Sequence, residues 1–220
     1  MDLNSYIYLM PCEIIDYICY FLHYGDCAIL GLTCKHLFDQ IDYDKLLTKF
    51  IHDVEKVKLD GLNIKNITYQ TERLCSIAVK QNGYALKYIK NQTEQICLEA
   101  VKQNGHMLQY VNNQTEQICL EAVKQNGHML QYVNNQTEQI CLEAVKRNCH
   151  MLHFVKNQTE QICIIAVKQN GHLLQYVKNQ TEQICLEAIK QTKYALKYVT
   201  KETKQNAFAL PYINFCHKKN

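Results

Sequence analysis

The stretch NQTEQICLEAVKQNGHMLQYVN, residues 91–112, is repeated letter for letter at residues 113–134. Edited copies precede and follow this pair at the same 22-residue spacing. Such a period is the signature of a repeat architecture, in which each unit buries its apolar face against its neighbours. The register is marked by one threonine in each copy: Thr71, Thr93, Thr115, Thr137, Thr159 and Thr181.

One unit, read from Thr93, predicts a helix, a tight turn and a second short helix. Thr93 is a good N-cap, and Glu94 in the first turn suits the helix dipole. Apolar residues recur at helical spacing over 96–101, and Gly105 suits the left-handed position that ends many helices. A second apolar set follows at 107–111. We therefore expect an all-α fold, a right-handed α-solenoid of 22-residue helix-turn-helix repeats.

A leucine-rich-repeat-like α/β solenoid is the alternative, because such repeats span about 20–29 residues. In that interpretation MLQYV, residues 107–111, is a strand and the Thr-capped segment is the outer helix. The repeat lacks the Leu-x-x-Leu-x-Leu-x-x-Asn pattern that is typical of such a strand, so this fold is the second choice.

Charge divides the chain near residue 60. Residues 1–60 carry five Lys and ten Asp or Glu, whereas residues 61–220 carry nineteen Lys or Arg and eleven Glu. Together with the repeat and its irregular ends, this shift predicts four parts: a helical module at 1–50, a connecting helix and degenerate half-repeat at 51–70, six repeats at 71–200, and a truncated capping repeat with a tail at 201–220.

Three ladders of side chains recur with the repeat. The cysteines from Cys75 to Cys185 are expected to be small buried packing residues, since adjacent units lie too far apart for disulfides. The tyrosine ladder from Tyr88 to Tyr198 is expected to pack in the core with its hydroxyls at the rim. Histidines such as His106 are expected to be half-exposed turn residues. We expect no metal site and no cofactor.

The tripeptide NQT recurs as a formal glycosylation acceptor, and we expect its asparagines to bond loop backbone instead. No catalytic motif is present, so we expect no enzyme and no catalytic residue. Glu and Lys nearly balance in the central units, so a nucleic-acid partner is not expected. The apolar runs are too short to span a bilayer, so no membrane partner is expected. Distinctive recognition is expected where units differ and at the Lys-rich end, giving as possible target-binding residues Arg147, Cys149, His153, Lys193 and Lys197.

Residues 9–50 contain Met10-Pro11-x-Glu13-Ile14, then Phe21-Leu22, Asp26, Leu30 and Cys34-Lys35, with Phe38 beyond. This order resembles the F-box, although Met10 replaces the usual Leu and the common tryptophan is absent. The resemblance implies a three-helix module that docks the Skp1-type adaptor of a cullin ubiquitin ligase, while the repeats bind an unknown protein target. The adaptor contacts that it implies are Pro11, Ile14, Ile15, Ile18, Leu22 and Leu30.

The repeats, over roughly residues 61–213, resemble the short AVKQNG-x-x-L-x-Y-V repeats abundant in giant DNA viruses of amoebae, the mimivirus group. That resemblance implies no chemistry, but it places the expected Skp1-like partner in the host. Because the sequence opens without a basic flank and apolar stretch, we expect an intracellular protein, in the host cytoplasm. The alternative function is a repeat scaffold or decoy without a link to ubiquitin.

Overall fold

The computed structural model describes residues 43–200, with side chains from residue 48 onward. Residues 1–42 and 201–220 lie outside the described residues, and with them lie the predicted adaptor contacts and the predicted capping repeat. Between 43 and 200 every regular element is helical and no strand is present. The all-α solenoid prediction is confirmed, and the leucine-rich-repeat alternative is wrong.

Each repeat consists of an α-helix followed by a short 3-10 helix. The α-helices are α1 (Tyr43–Leu59), α2 (Glu72–Gln81), α3 (Glu94–Gln103), α4 (Glu116–Gln125), α5 (Glu138–Arg147), α6 (Glu160–Gln169) and α7 (Glu182–Gln191). The 3-10 helices are η1 (Gly61–Asn66), η2 (Gly83–Tyr88), η3 (Gly105–Tyr110), η4 (Gly127–Tyr132), η5 (Cys149–Phe154), η6 (Gly171–Tyr176) and η7 (Lys193–Tyr198).

The described residues divide into two compact units, one ending at Gln103 and the other beginning at Asn104. In the described part of the first unit, η1 and η2 each pack between successive α-helices. In the second, η4, η5 and η6 pack in the same way, and successive 3-10 helices also contact one another. Each unit is therefore built by neighbour-to-neighbour packing, as expected of repeats that cannot bury their apolar faces alone.

The predicted threonine N-caps are present. Thr159 has extended backbone, and its Oγ1 accepts a hydrogen bond of 3.4 Å from the backbone N–H of Ile162. The same hydroxyl donates to Glu138 Oε1 of the preceding repeat at 2.7 Å. The threonine thus caps its own helix, α6, and also bonds to Glu138, the first residue of the preceding helix, α5.

The repeat glycines serve a different purpose from the predicted one. None of the glycines that open the described 3-10 helices has its φ in the left-handed region, so the left-handed C′ prediction for Gly105 is wrong. The residue after α4, Asn126, is extended at φ −148°, and its Oδ1 accepts from the N–H of His128 to begin η4. A Cβ on Gly127 would lie 2.8 Å from the carbonyl oxygen of Ala144. Glycine is required because two backbones approach closely.

The core is a layer of small and branched side chains shared between α-helices and 3-10 helices. In the repeat at 160–177, Cys163, Ala166, Leu173, Leu174 and Val177 are all buried. The cysteine prediction is confirmed, because every described cysteine of the ladder is at most 4% exposed. Burial of each leucine contributes about 2 kcal/mol, so most of the stability arises in this layer.

Two glutamines per repeat tie neighbours together through backbone hydrogen bonds. Gln158 donates Nε2 to Leu152 O at 3.3 Å and to Tyr176 O at 3.1 Å, and its Oε1 accepts from Lys178 N at 2.9 Å. We name this contact the loop tie. Within residues 48–200 no side-chain hydrogen bond is found at the NQT asparagines, so the expectation that they bond the loops is wrong, and the glutamine does so instead. Equivalent glutamines with the same bonds to the next repeat are Gln70, Gln114, Gln136 and Gln180.

The second tie joins the end of one α-helix to the turn of the preceding repeat. Gln191 Oε1 accepts from Gly171 N at 2.8 Å. Gln103 accepts from Gly83 N at 2.8 Å in the same way, and its Nε2 donates to Val79 O at 2.6 Å. We name this contact the turn tie. Both ties satisfy backbone groups at helix ends that would otherwise need water.

Candidate protein-binding surface

The aromatic ladder lies on the surface of the 3-10 helices. Phe154 is 46% exposed, Tyr176 38% and Tyr132 40%, and Tyr88 is similarly exposed. Tyr194, which occupies the histidine position of its repeat, is 63% exposed. Tyr198 is half-buried. The prediction of core packing is therefore wrong for the exposed rungs, and the core is filled by the residues that precede each ring.

Rings of successive 3-10 helices contact one another in the second unit. The His153 and Tyr176 ring centroids are 3.6 Å apart. His172 lies 6.4 Å from Tyr194, with nearly parallel planes, and 6.1 Å from the edge-on ring of Tyr198. One contact joins η5 to η6, and the other two join η6 to η7. We name the residues of these contacts, together with the exposed Phe154, the aromatic ridge: His153, Phe154, His172, Tyr176, Tyr194 and Tyr198.

Two lysines give the ridge positive charge at its C-terminal end. The Lys193 Nζ lies 5.9 Å from the centroid of Tyr194, and the Lys197 Nζ lies 4.6 Å from that of Tyr198. Both distances fit cation–π contacts. The three 3-10 helices contain no Asp or Glu, so no carboxylate of these helices opposes that charge.

Two carboxylates on α6 and α7, Glu160 and Glu187, have partners. Glu187 accepts from Lys190 at 2.9 Å and lies 3.6 Å from Lys168. The hydrogen bond from Lys190, together with the charge of Lys168, lowers the pKa of Glu187 below its ordinary value. Glu160 accepts from the Thr181 hydroxyl at 2.5 Å. Both carboxylates therefore take part in contacts between neighbouring repeats.

The predicted target-binding residues separate into two groups. His153, Lys193 and Lys197 belong to the ridge or lie over its rings. Arg147 instead ends α5 and pairs with Glu143 at 3.2 Å. Cys149 is half-buried at the position that glycine occupies in most repeats. The structure thus brings three of the five to one surface and places two at a junction between repeats.

Arg147 and Cys149 interrupt the turn tie. Arginine has no acceptor atom, so Arg147 cannot accept from Gly127 N as glutamine does elsewhere. Among the described residues, the N–H donation to the next repeat's glutamine is found at Gly61, Gly83, Gly105 and Gly171 but not at Gly127 or Cys149. Gln169 keeps only its bonds to the carbonyls of Val145 and Lys146. These differences change how repeats are joined.

An Arg147→Gln protein is expected to be more stable than the wild type by about 0.5–1 kcal/mol. The new amide restores the turn tie to Gly127 N, and a net hydrogen bond contributes about 1 kcal/mol. The lost exposed pair with Glu143 costs only about 0.3–0.5 kcal/mol. Urea denaturation followed by circular dichroism measures the difference. Arg147→Ala is the control, because it loses the ion pair without regaining the tie; equal stability of the two variants would contradict the prediction.

The buried thiols are poorly suited to nucleophilic or metal chemistry. Burial raises the pKa of the Cys163 thiol from 9.0 to about 11, and the nearby Glu160 carboxylate adds to the rise. The thiolate is the reactive and metal-binding form, and little of it exists at neutral pH under these conditions. From residue 43 to residue 200, no three His, Cys, Asp or Glu side chains come together as a possible metal site. Over the same range, no helix has the length and apolar character that crossing a bilayer requires.

The fold and the ridge define a helical repeat protein of the solenoid class. The model of a family described as a domain of unknown function, DUF4116, matches the chain in five overlapping segments, at residues 71–114, 93–137, 115–158, 137–181 and 159–204. These segments together cover more than half of the chain. The protein belongs to this family. Comparison with curated proteins and with solved structures finds no match.

Sequence reasoning missed the two glutamine ties and the exposure of the aromatic rings. The ties could have been inferred from the repetition itself, because Gln92 and Gln103 recur in nearly every copy although neither lies on an apolar stripe. A polar residue that recurs without an apolar face to explain it is expected to have a fixed hydrogen-bonding role.

Proposed function

We propose that the protein is a non-catalytic adaptor: the repeats bind a protein target, and the N-terminal segment docks a Skp1-type subunit of a cullin ubiquitin ligase. The observation that carries the proposal is the exposed aromatic ridge, supported on repeats that are tied to one another. Aromatic side chains are enriched at protein interfaces and often dominate their binding energy. Stacked repeats provide extended surfaces of the kind used for such binding.

The ubiquitin-ligase half of the proposal is supported by the F-box resemblance of the N-terminal segment. Its adaptor contacts would be apolar, supplied by Pro11, Ile14, Ile15, Ile18, Leu22 and Leu30. The resemblance of the repeats to those of giant DNA viruses of amoebae makes the partner a host protein, and the place of action the host cytoplasm.

The test is a pull-down of the host Skp1 homologue with the purified full chain. We expect the wild type to retain the homologue, and a Pro11→Ala, Ile15→Asp, Leu30→Asp variant to retain about tenfold less, because buried charge disrupts an apolar interface. Circular dichroism establishes that the variant's repeats still fold. A Lys193→Glu, Lys197→Glu variant serves as the matched control and should bind the homologue as well as the wild type does.

Failure of a folded wild type to bind the homologue would overturn the ubiquitin-ligase half of the proposal. The protein would then be a repeat scaffold or decoy. That second function is supported by the family matches, which begin at residue 71 and do not include the F-box-like segment.

A further inference from the structure

We propose that the solenoid contains a hinge at two successive junctions, one between η4 and the end of α5 and the other between η5 and the end of α6. The hinge opens at the edge where the turn ties lie in other repeats, while the loop ties stay closed. Both junctions lie within the second compact unit. The inference goes beyond the adaptor proposal and does not rest on it, because it concerns only how neighbouring repeats are joined.

Each junction is bonded at two edges, because the two ties lie at opposite ends of an α-helix. In α5, Gln136 of the loop tie lies just before the helix begins, and Arg147, at the position of the turn-tie glutamine, ends it. We name these ends the loop edge and the turn edge. The helix has 10 residues, so the two edges lie about 15 Å apart. A junction that is weakened at one edge alone can therefore pivot about the other.

The loop edge is bonded at both junctions. The loop ties of Gln136 and Gln158 are present, with donor–acceptor distances of 3.0 and 3.1 Å to carbonyls of the following 3-10 helices. The threonine that caps the later α-helix also donates its hydroxyl to the glutamate that begins the earlier one, at 2.6 and 2.7 Å, in the pairs Thr137–Glu116 and Thr159–Glu138. The loop edge therefore holds neighbouring repeats together while the opposite edge moves.

The turn edge lacks its backbone bond at both junctions. Across residues 48–200, the N–H that opens a 3-10 helix donates to the glutamine of the next repeat at every junction except those of Gly127 and Cys149. At the first of these, Arg147 replaces the glutamine and pairs with Glu143 of its own helix at 3.2 Å. At the second, Gln169 is present but bonds only to carbonyls of α5. Two neighbouring turn edges are therefore weakened together.

The contacts that remain at these turn edges do not replace the missing bond. At the first junction, Asn148 Nδ2 lies 2.9 Å from His128 Nε2, in an exposed contact that water can exchange for its own hydrogen bonds. At the second, Gln169 Nε2 donates to Val145 O at 3.1 Å. Gln103 makes the equivalent donation in addition to its turn tie, so this bond is no substitute for the tie.

Cys149 also keeps η5 away from the end of α6. At Gly83, Gly105, Gly127 and Gly171 a Cβ would lie 2.5–3.2 Å from a carbonyl oxygen of the next repeat. Cys149 carries this Cβ and a sulfur atom, so the two repeats cannot approach as closely as they do at a glycine. Those glycines are buried, whereas Cys149 is half-buried. Side-chain bulk and the missing hydrogen bond therefore weaken the same edge.

Opening of a turn edge changes the angle between the repeats on either side of it. A net hydrogen bond changes an equilibrium constant about fivefold, so an edge without the N–H bond opens about fivefold more readily than an intact one. Local opening of this kind requires less free energy than global unfolding. Because the two weakened junctions are consecutive, their changes of angle add, and the solenoid bends at α5 rather than evenly along its length.

The test is amide hydrogen exchange, followed at single residues by NMR, on the full chain and on an Arg147→Gln, Cys149→Gly variant. The variant restores both turn ties, because position 147 gains an acceptor and position 149 loses its Cβ. The turn-edge reporters are the N–H groups of Asn148 and Met151, each bonded within its own repeat at 2.9 Å. We expect them to exchange about fivefold more slowly in the variant, whereas Lys156 N at the loop edge changes by less than about twofold.

The matched control moves the defect to an intact junction of the same unit. Gln191→Arg removes the turn tie to Gly171 N. We expect Asn170 N and Leu173 N to exchange about fivefold faster in this variant, because they report on that turn edge. The N–H of Thr200, which is bonded at the loop edge, should change by less than about twofold.

Circular dichroism establishes that both variants fold. Equal changes at the two edges would mean that the repeats open as a whole and not about the loop edge. Unchanged exchange at the turn edges would mean that the missing bond does not weaken them. Either result, in either variant, would overturn the inference.

Discussion

Gly171→Ala is expected to lower the free energy of unfolding by about 3 kcal/mol, which is large for the addition of one methyl group. A Cβ at this position would lie 2.5 Å from the backbone carbonyl oxygen of Ala188, 2.8 Å from Thr192 Cγ2 and 2.9 Å from Gln191 Oε1. The carbonyl lies in the last turn of α7 and accepts from Thr192 N at 3.0 Å, so it cannot rotate away without losing that bond, and the two repeats must separate. Separation also breaks the turn tie from Gly171 N to Gln191. Urea denaturation measures the loss, and amide hydrogen exchange over residues 171–198 shows whether the opening is local.

Gly83→Ala is the matched control, because it makes the same chemical change at the equivalent position of another repeat. There a Cβ would lie no closer than 3.2 Å to its nearest neighbours, Ala100 O and Gln103 Oε1. A shift of a few tenths of an ångström accommodates it, so we expect a loss of about 1 kcal/mol or less. If both variants lost the same free energy of unfolding, the prediction would be wrong. Glycine would then be needed for its backbone freedom and not because two repeats approach closely.

Cys149 shows how one repeat accommodates a side chain at the glycine position. Its thiol is half-buried, and among the described residues its N–H makes no bond to Gln169. The neighbouring Arg147 removes the turn tie at the preceding junction as well. Comparison of the repeats singled out five residues with two different effects. Arg147 and Cys149 change the hydrogen bonds between repeats, whereas His153, Lys193 and Lys197 change the chemistry of the surface.

The period and the threonine caps were predictable because they depend on local chemistry. A hydroxyl three residues before a helical N–H, followed by apolar residues at helical spacing, gives the same structure in every copy. The position of the aromatic rings was not predictable in this way. A 3-10 helix has about three residues per turn, so Leu173 and Tyr176 share one side, yet Leu173 is buried and Tyr176 is 38% exposed. The periodicity of one copy therefore does not predict which aromatic rings are exposed.

The F-box-like segment depends on a different kind of inference. Its assignment comes from a pattern of residues within 9–50, and its apolar side chains have two competing uses, in folding three short helices and in contacting a partner. The spacing of the apolar residues does not show which of them fold the three helices and which contact the partner, because both roles need the same residue types. The adaptor contacts therefore stay predictions that the pull-down addresses, whereas His153, Lys193 and Lys197 are placed on a surface whose geometry is described.

Gln158→Leu is expected to lower the free energy of unfolding by about 2–3 kcal/mol, although it replaces a polar side chain with an apolar one of similar size. The loop tie made by Gln158 satisfies the N–H of Lys178 and the carbonyls of Leu152 and Tyr176. Leucine replaces none of these three bonds, and a hydrogen bond contributes about 1 kcal/mol on average. Thermal and urea denaturation of the full chain measure the change.

Asn157→Ala, one residue earlier in the same NQT tripeptide, is the control that separates the two interpretations of this motif. Asn157 is exposed, so its loss should change the free energy of unfolding by no more than about 0.5 kcal/mol. If Asn157→Ala were less stable than Gln158→Leu, the asparagine would be the important residue of the tripeptide, and its role would be to stabilise the turn of its own loop. If the glutamine variant is less stable, as we expect, the tripeptide recurs because its central residue joins each repeat to the next. The stability of the repeats then depends on a glutamine with hydrogen-bond partners in the next repeat. The sequence of one repeat, taken alone, does not show these partners.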